Sequence, residues 1–322
     1  MEGRYHPPRR FSFKCETLPV TPNKILGNVP GMKHAAEVPT LNAGELTEAA
    51  FKAEYVAHSR PCVIKGAVSH WAALKKWRDK AYLKRLSGRR GTFIYESEYH
   101  ITLKRIKHHE KPTSFAEALE RLHASDVSRA IVPTDMFPEL SPDLGGVPFL
   151  GSTEPAFWYP RTRLFFFRNA GTAWHYHPFD ETLTCQVVGV KKFGLVDMKP
   201  PFNIDLRDIF FAEGYYDDPK AFAALEHANI RWLSATIEEG DALYLPPLWW
   251  HGVSPVTASF GVTAALTWRS PPHVIAHAIT EMARGEVDMI GKTVARNFPA
   301  LVEVARKMGL EYALKIAWEH GA

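Results

Sequence analysis

The sequence predicts a mainly β fold with flanking helices, in which many short strands close into a barrel or sandwich. Two observations carry this prediction. Between residues 161 and 270, short β-rich runs are separated by glycine, proline and aspartate, which is typical of a sheet with tight turns. Before and after this segment the apolar residues follow helical spacing. The β-rich runs are 164–167, 184–188, 193–196, 241–245 and 260–268.

The segment before the barrel alternates helices with one short strand. Apolar residues on one face predict a helix over 46–55, and a second amphipathic run covers 71–86. Between them, the run 60–68 predicts a short buried strand. Ser114 and Glu117 have the spacing of a capping box, so a further helix is expected to begin directly after Ser114.

The chain divides into three parts. Residues 1–40 predict an N-terminal arm without a clear helix, and 41–270 predict the barrel with its preceding helices and strand. Within the latter, the proline-rich stretch 131–160 indicates an irregular connector. Residues 271–322 predict C-terminal helices. Their apolar faces over 301–317 predict a homodimer, and the equally weighted alternative is that these faces pack onto the chain's own barrel.

Composition narrows the classes of function. The chain has 322 residues and a net charge of +4, which is too mild to indicate nucleic-acid binding by itself. The basic stretches 75–90 and 104–111 are typical of solvated helix faces. Cys15, Cys62 and Cys185 are widely spaced, which favours a reducing compartment. Without a signal peptide or a long apolar run, we expect no membrane span and a cytoplasmic protein.

Three histidines, in two separate segments of the predicted barrel, are the candidate metal ligands. His175 and His177 are two residues apart, so on a strand both side chains would point to the same face. His251 follows a glycine–aspartate turn and a proline pair, where a neighbouring strand is expected to begin. Neutral imidazoles bind iron, zinc, copper or nickel. The sequence therefore predicts a metal site formed by two adjacent strands of the barrel.

At these residues the sequence resembles a known family. The pattern H-x-H-x(3)-E-x(7)-G over 175–189 is similar to the first cupin motif, and G-x(5)-P with a following histidine over 240–251 is similar to the second. The closer resemblance is to the Jumonji C subset. Its support comes from the entry segment 60–77, from Thr172 three residues before the first histidine, and from the strand that carries Lys191. The resemblance implies a double-stranded β-helix, the cupin or jelly-roll barrel.

The same resemblance implies iron(II) and 2-oxoglutarate as cofactors. His175 and His251 would be two metal ligands, Lys191 would pair with the distal carboxylate of 2-oxoglutarate, and Thr172 would add a hydroxyl group. Alternation along the strand would then point Lys192 to the opposite face.

The third metal ligand departs from the family pattern. The family usually has aspartate where this sequence has His177. His177 is the expected third ligand because it shares a strand face with His175, and Asp180 or Glu181 is the alternative third or additional ligand.

The implied function is that of a non-haem iron dioxygenase that hydroxylates a protein side chain or a small molecule. Hydroxylation is favoured over histone demethylation because no reader module or zinc-ligand cluster accompanies the barrel. Two other classes stay open. One is a cupin dioxygenase or isomerase that binds metal without 2-oxoglutarate, and the other is a non-catalytic binding barrel. No phosphate-binding glycine motif indicates a nucleotide enzyme.

Overall fold

The structure is a computed structural model of the chain. It describes residues 24–96, 110–156, 159–177, 179–197, 210, 223–226, 230–257 and 259–271. The predicted C-terminal helices, and with them the proposed dimer surface, lie outside the described residues.

Fourteen strands are present in the described part of the chain. Numbered in chain order, they are β1 (Ala36–Glu37), β2 (Thr40–Asn42), β3 (Cys62–Lys65), β4 (Gly91–Glu96), β5 (Glu110–Ser114), β6 (Ala130–Asp135), β7 (Thr162–Arg168), β8 (Thr172–His175), β9 (Asp180–Val188), β10 (Lys191–Asp197), β11 (Trp232–Ile237), β12 (Ala242–Leu245), β13 (Trp249–Pro255) and β14 (Phe260–Arg269).

The helices are short and lie mostly before the barrel. The α-helices are Lys24–Gly27, Glu48–Phe51, Ala73–Lys76, Lys80–Ser87, Phe115–His123 and Ala223–Glu226. One π-helical turn, Lys52–Val56, continues the second of them, and 3-10 turns cover Pro30–His34 and Pro138–Asp143.

The strands form two sheets that enclose a common core. The smaller sheet has the order β1-β11-β10-β13-β8, and the larger has β2-β3-β12-β9-β14-β7-β6-β4-β5. One apolar cluster joins Leu195 and Val253 of the smaller sheet to Leu243 and Leu245 of the larger. Two mainly antiparallel sheets around one core form the double-stranded β-helix barrel, so the predicted fold class is confirmed.

The outer face of the larger sheet is covered by the helices. Phe115 of the helix Phe115–His123 packs its ring 4.8 Å from the ring of Phe166 on β7, and Phe51 packs 5.0 Å from Tyr244 on β12. Burying each such ring stabilises the fold by about 1.5–3 kcal/mol. These contacts cover one face of the larger sheet, and the residues on its other face line the barrel interior.

Most of the predicted elements are present. Ser114 and Glu117 form both hydrogen bonds of a capping box, and the helix begins at Phe115 as predicted. The expectation of an irregular connector over 131–160 was wrong at its start. There, β6 continues to Asp135 because its residues pair with β7 and its first three side chains are buried.

The described part of the predicted arm contains a short helix, Lys24–Gly27. Cys62 and Cys185 are buried free thiols, with no disulfide between them. In the described residues, no helix has the length and apolar character needed to cross a membrane. The cytoplasmic location stays a prediction.

Candidate metal centre

Two antiparallel strands of the smaller sheet bring His175 and His251 face to face. His175 ends β8, His251 lies in β13, and the two residues are opposite each other in the register. Their ring centroids are 4.1 Å apart. The strand predicted to begin at His251 begins at Trp249, after Leu248 with a φ of 67°.

Packing on the outside of the smaller sheet turns His175 toward the interior. The preceding residue, Trp174, is fully buried against the opposite face, where its Nε1 donates a hydrogen bond of 3.0 Å to the carbonyl of Ile25. Gly194 and Gly252 leave space for this indole, since a Cβ at either position would lie 2.7–2.8 Å from its ring atoms. Because neighbouring side chains on a strand alternate, His175 projects inward.

His177 completes the group although it lies beyond the end of β8. Its ring centroid is 5.3 Å from that of His175 and 5.0 Å from that of His251. The three residues offer nitrogen atoms that all lie within 4.8 Å of one another. The structure therefore brings the three predicted histidines together.

Hydrogen bonds at Nδ1 orient all three rings. His175 Nδ1 lies 2.8 Å from the carbonyl oxygen of Ala173, and His251 Nδ1 lies 3.0 Å from that of Trp249. A carbonyl oxygen only accepts, so both Nδ1 atoms carry the proton and donate it. His177 Nδ1 is 2.8 Å from the hydroxyl oxygen of Thr182. In each ring Nε2 is left as the atom that can bind a metal.

Burial keeps these imidazoles neutral. It lowers the pKa of His175 to about 4 and holds the pKa values of His177 and His251 well below the usual value. The neighbouring rings and Arg163 lower the pKa of His177 further. Neutral imidazoles are the form that ligates metal, so the group fits a divalent transition ion.

The two alternative carboxylate ligands lie in different surroundings. Thr182 contacts His177, so Glu181 projects to the opposite face of β9, where Tyr244 and Ser270 each donate it a hydrogen bond of 2.6 Å. Asp180 is buried at the start of β9 and shares the interior face with Thr182. In the described residues, neither carboxylate belongs to the group of atoms that the three histidines form.

Lys191 lies on the same interior face as His251. In the β10–β13 register, Leu195 is opposite His251 and Lys191 is opposite Pro255, so the even spacing places all four side chains on one face. Lys191 is buried with its Nζ 3.9 Å from the ring centroid of Phe167, whereas Lys192 is exposed. Burial lowers the pKa of Lys191 to about 7.

Thr172 lies between the histidines and Lys191 along the smaller sheet. It is opposite Val253, and a bulge separates this pair from the pair of His175 and His251. The bulge brings Thr172 and His175, three residues apart, opposite residues of the same interior face.

Arg163 and Tyr159 lie near the histidine group and were not among the residues predicted from the sequence. The guanidinium carbon of Arg163 lies 3.9 Å from the ring centroid of Tyr159, whose ring lies 5.2 Å from that of His177. The run TRLFFFR does carry a signal, because Arg163 alternates in phase with Phe165 and Phe167. A charged residue in the interior phase of an apolar strand marks a candidate site residue.

The first basic stretch is largely paired with acidic residues. Lys80 and Lys84 both bind Glu120, at 2.8 and 2.7 Å, and Lys76 binds Asp143 at 2.6 Å. Arg78 and Arg90 pair with Glu239 and Glu139. These ion pairs agree with a solvated surface. The expectation that nucleic acid is a disfavoured but not excluded partner stays a prediction. The second stretch, 104–111, lies almost entirely outside the described residues.

A barrel of this topology with three histidines grouped in its interior defines the cupin class of metalloproteins. Residues 48–273 match the family described as a cupin-like domain. The chain belongs to this family, the cupin-like Jumonji C proteins. The histidine group fits a divalent transition-metal ion such as iron(II).

Curated relatives carry Jumonji C names. Jumonji C domain-containing protein 5 of Drosophila melanogaster is 25% identical over 255 residues, which cover 70% of this chain and 59% of the relative. Lysine-specific demethylase JMJ30 of Arabidopsis thaliana is 27% identical over 240 residues, covering 66% and 51%. Lysine-specific demethylase 8 of Xenopus tropicalis is 22% identical over 249 residues, covering 73% and 54%. The chain thus spans between half and three fifths of these relatives.

Proposed function

We propose that this chain is an iron(II)- and 2-oxoglutarate-dependent hydroxylase that acts on a protein side chain or a small molecule. One observation carries the proposal. Three neutral imidazoles and a buried lysine share one interior face of the barrel, and in the described residues that lysine has no acidic partner.

The three histidines would hold the metal through Nε2, since Nδ1 of each ring is engaged elsewhere. When bound, iron(II) and 2-oxoglutarate activate dioxygen for the hydroxylation of a C–H bond. The two sheets enclose the site and limit the access of water.

Lys191 would bind the distal carboxylate of 2-oxoglutarate. It is four residues along β10 from Leu195, the residue opposite His251, so its backbone lies roughly 13 Å along the strand from the metal group. Its long side chain and an extended dicarboxylate together can span this gap. Burial without an opposite charge lowers the pKa of Lys191, and a bound carboxylate would restore the charged form. Thr172, between the two, would add a hydroxyl group.

Lys191 and Lys192 offer a matched test, because they are adjacent, carry the same charge and differ in exposure. We expect Lys191→Met to raise the dissociation constant of 2-oxoglutarate about tenfold or more, and Lys192→Met to leave it unchanged. Anaerobic calorimetry on the iron(II)-loaded chain measures both. Equal effects of the two substitutions would contradict the role of Lys191.

The cofactors themselves are tested on the unmodified chain. We expect one iron(II) per chain and slow conversion of 2-oxoglutarate to succinate without substrate. At a concentration 100 times its dissociation constant, 2-oxoglutarate should stabilise the loaded chain by about 2.7 kcal/mol against unfolding. Iron binding with neither turnover nor protection would overturn the proposal.

Two other functions give different results in this assay. A cupin dioxygenase or isomerase that does not use 2-oxoglutarate is favoured by the three-histidine donor set, which lacks the family's carboxylate. It would bind iron and ignore 2-oxoglutarate, and a non-catalytic barrel would turn over nothing. Two relatives are named lysine-specific demethylases. Release of formaldehyde from methylated lysine peptides would place this chain with them instead of with hydroxylases.

A further inference from the structure

Arg163 is a cation inside the barrel whose hydrogen-bonding capacity is not fully used. Within the part of the chain that the structure describes, its Nε is buried and has no hydrogen-bond partner. The contacts that the described residues give its guanidinium are ring faces, Tyr159 at 3.9 Å and Phe165 at 5.4 Å. A buried donor without an acceptor costs about 1–3 kcal/mol, more when it is charged, so an acceptor that reached this guanidinium would stabilise the site.

The strand register places Arg163 on the interior face. Arg163 is opposite Ala265 on β14, Ala265 is opposite Thr184 on β9, and Thr184 shares its face with Thr182, which contacts His177. The guanidinium carbon of Arg163 lies 3.9 Å from the ring centroid of Tyr159, and the ring of Tyr159 lies 5.2 Å from that of His177. The guanidinium, the Tyr159 ring and the histidine group therefore lie close together.

Acidic residues near Arg163 do not neutralise it. Asp135 is opposite Arg163 on β6 and is exposed, and Asp180 begins β9. In the described residues, neither forms an ion pair with the guanidinium within 4.0 Å. Burial lowers the pKa of Arg163, and the opposing effects of Tyr159, Asp135 and Asp180 are smaller.

We propose that Arg163, stacked on Tyr159, binds an anionic group of the substrate, a carboxylate or a phosphate, beside the metal centre. This proposal rests on the proposed function. Arg163 and Phe167 are four residues apart on one face of β7, and Lys191 contacts Phe167, so the backbone of Arg163 lies roughly 13 Å along the strand from the residue that Lys191 contacts. Because of that separation, we expect Lys191 and Arg163 to bind different anionic groups.

The substrate class follows from the charge of the site. Three neutral imidazoles bring no negative charge to a divalent ion, the charge of Lys191 would be matched by 2-oxoglutarate, and Arg163 remains as a positive charge near the histidine group. A methylated lysine would place a further cation there, against Coulomb repulsion that burial strengthens. An acidic side chain or a small organic acid brings the opposite charge and can accept hydrogen bonds from the guanidinium of Arg163.

The test measures binding to the iron(II)-loaded chain, kept anaerobic with saturating 2-oxoglutarate. The acidic probes are the α-amides of N-acetyl-aspartate, N-acetyl-glutamate and N-acetyl-phosphoserine. The neutral probes are the amides of N-acetyl-asparagine and N-acetyl-glutamine, and the cationic probe is N-acetyl-trimethyllysine amide. We expect an acidic probe to bind about tenfold or more tightly than its neutral counterpart. The aspartate and phosphoserine arms distinguish a carboxylate from a phosphate.

Variants link this preference to Arg163. Arg163→Gln should abolish it, and Arg163→Lys should keep part of it. Arg168→Gln is the matched control, because Arg168 lies on the same strand in the opposite phase and donates to the carbonyl of Leu122. Equal affinity for acidic and neutral probes, tighter binding of the cationic probe, or a preference that survives in Arg163→Gln would each overturn the proposal.

Separate measurements distinguish failure of the proposed role of Arg163 from failure of the proposed function. Arg163→Gln should leave the dissociation constant of 2-oxoglutarate within about twofold, and a large loss would assign Arg163 to the cofactor and overturn the substrate role. If the unmodified chain binds iron but not 2-oxoglutarate, the proposed function fails. The probe preference, measured with iron alone, still decides on Arg163.

Discussion

His177 is the residue at which this chain departs from its family. A histidine in place of the usual aspartate keeps a donor atom near the metal position but removes one negative charge from it. The Nδ1 contact with Thr182, at 2.8 Å, fixes the ring so that Nε2 can face the other two histidines. The structure thus offers a geometric reason why a ring beyond the end of β8 can still act as a ligand.

Substitution at His177 tests the third ligand. We expect His177→Ala to weaken iron binding by at least about 100-fold, because one of three donors is lost. His177→Asp should retain some 2-oxoglutarate-coupled activity, since it restores the ligand set usual in the family. Asp180→Ala should be milder than either histidine loss. Iron content after dialysis measures the effect, and loss in Asp180→Ala with retention in His177→Ala would make the carboxylate the third ligand.

Glu181 gives a pH dependence that belongs to a single residue. Burial raises its pKa to about 7, although the hydrogen bonds from Ser270 and Tyr244 act in the opposite direction. The folded chain therefore holds this proton more tightly than the unfolded chain. Its stabilising effect is complete below pH 4.5 and is lost as the pH rises toward 7.

Denaturant unfolding of the unmodified chain and of Glu181→Gln isolates this effect, since other titrating groups are common to both. We expect the difference in unfolding free energy, unmodified minus variant, to fall by about 3 kcal/mol between pH 4.5 and 8. A difference that stays constant with pH would show that Glu181 keeps an ordinary pKa when buried.

At the scale of elements, strand β13 depends on the absence of a side chain at Gly252. A Cβ there would lie 2.7 Å from Trp174, the residue that precedes His175 on the neighbouring strand. We expect Gly252→Ala to lower the unfolding free energy by about 1–3 kcal/mol and to weaken metal binding, because indole and histidine move together. Gly91→Ala on β4 is the control, since a Cβ there meets nothing within 4 Å. Thermal unfolding and iron affinity are measured for both variants, and equal effects of the two substitutions would contradict this packing.

The elements that the sequence predicted are those with a local signal. Ser114 and Glu117 identify a helix start without reference to the rest of the chain, and the run 164–167 is apolar enough to indicate a strand. Strand β6 was missed because Pro133 lies inside it, and its pairing with Phe165 becomes visible only in the register. The strand that contains Arg163 was predicted, but Arg163 itself was not predicted as a site residue. The sequence does not show that its side chain faces the barrel interior, and the fold does.

The site was predictable to a similar degree. Spacing and resemblance identified the three histidines and Lys191, which the structure places on one interior face. Which carboxylate faces the histidines could not be decided from the sequence. Glu181 points away from the histidines because of its position in the alternation of side chains along β9. That position depends on where β9 begins, which is set by its pairing with β12 and β14.

For the whole molecule, the predicted homodimer remains to be tested. The sequence pattern predicts amphipathic faces over 301–317, after a barrel whose two sheets enclose their own core. These faces need another surface to cover them, and a second copy of the chain can supply it. We expect light scattering at micromolar concentration to give twice the 36.3 kDa of one chain. A monomeric mass would indicate that the helices pack on their own barrel.

The position of β8 in the smaller sheet has a consequence for the lifetime of a bound metal. In the described residues β8 is an edge strand of four residues, paired only with β13, whereas β13 is held on both sides. Short edge elements open locally far more often than central strands do. Each such opening would detach His175 while His251 stays in place, so the ion would leave stepwise and its exchange rate would follow the fraying of β8. Tightening of Trp174 against Ile25 would then lengthen the residence time of the metal without altering any ligand.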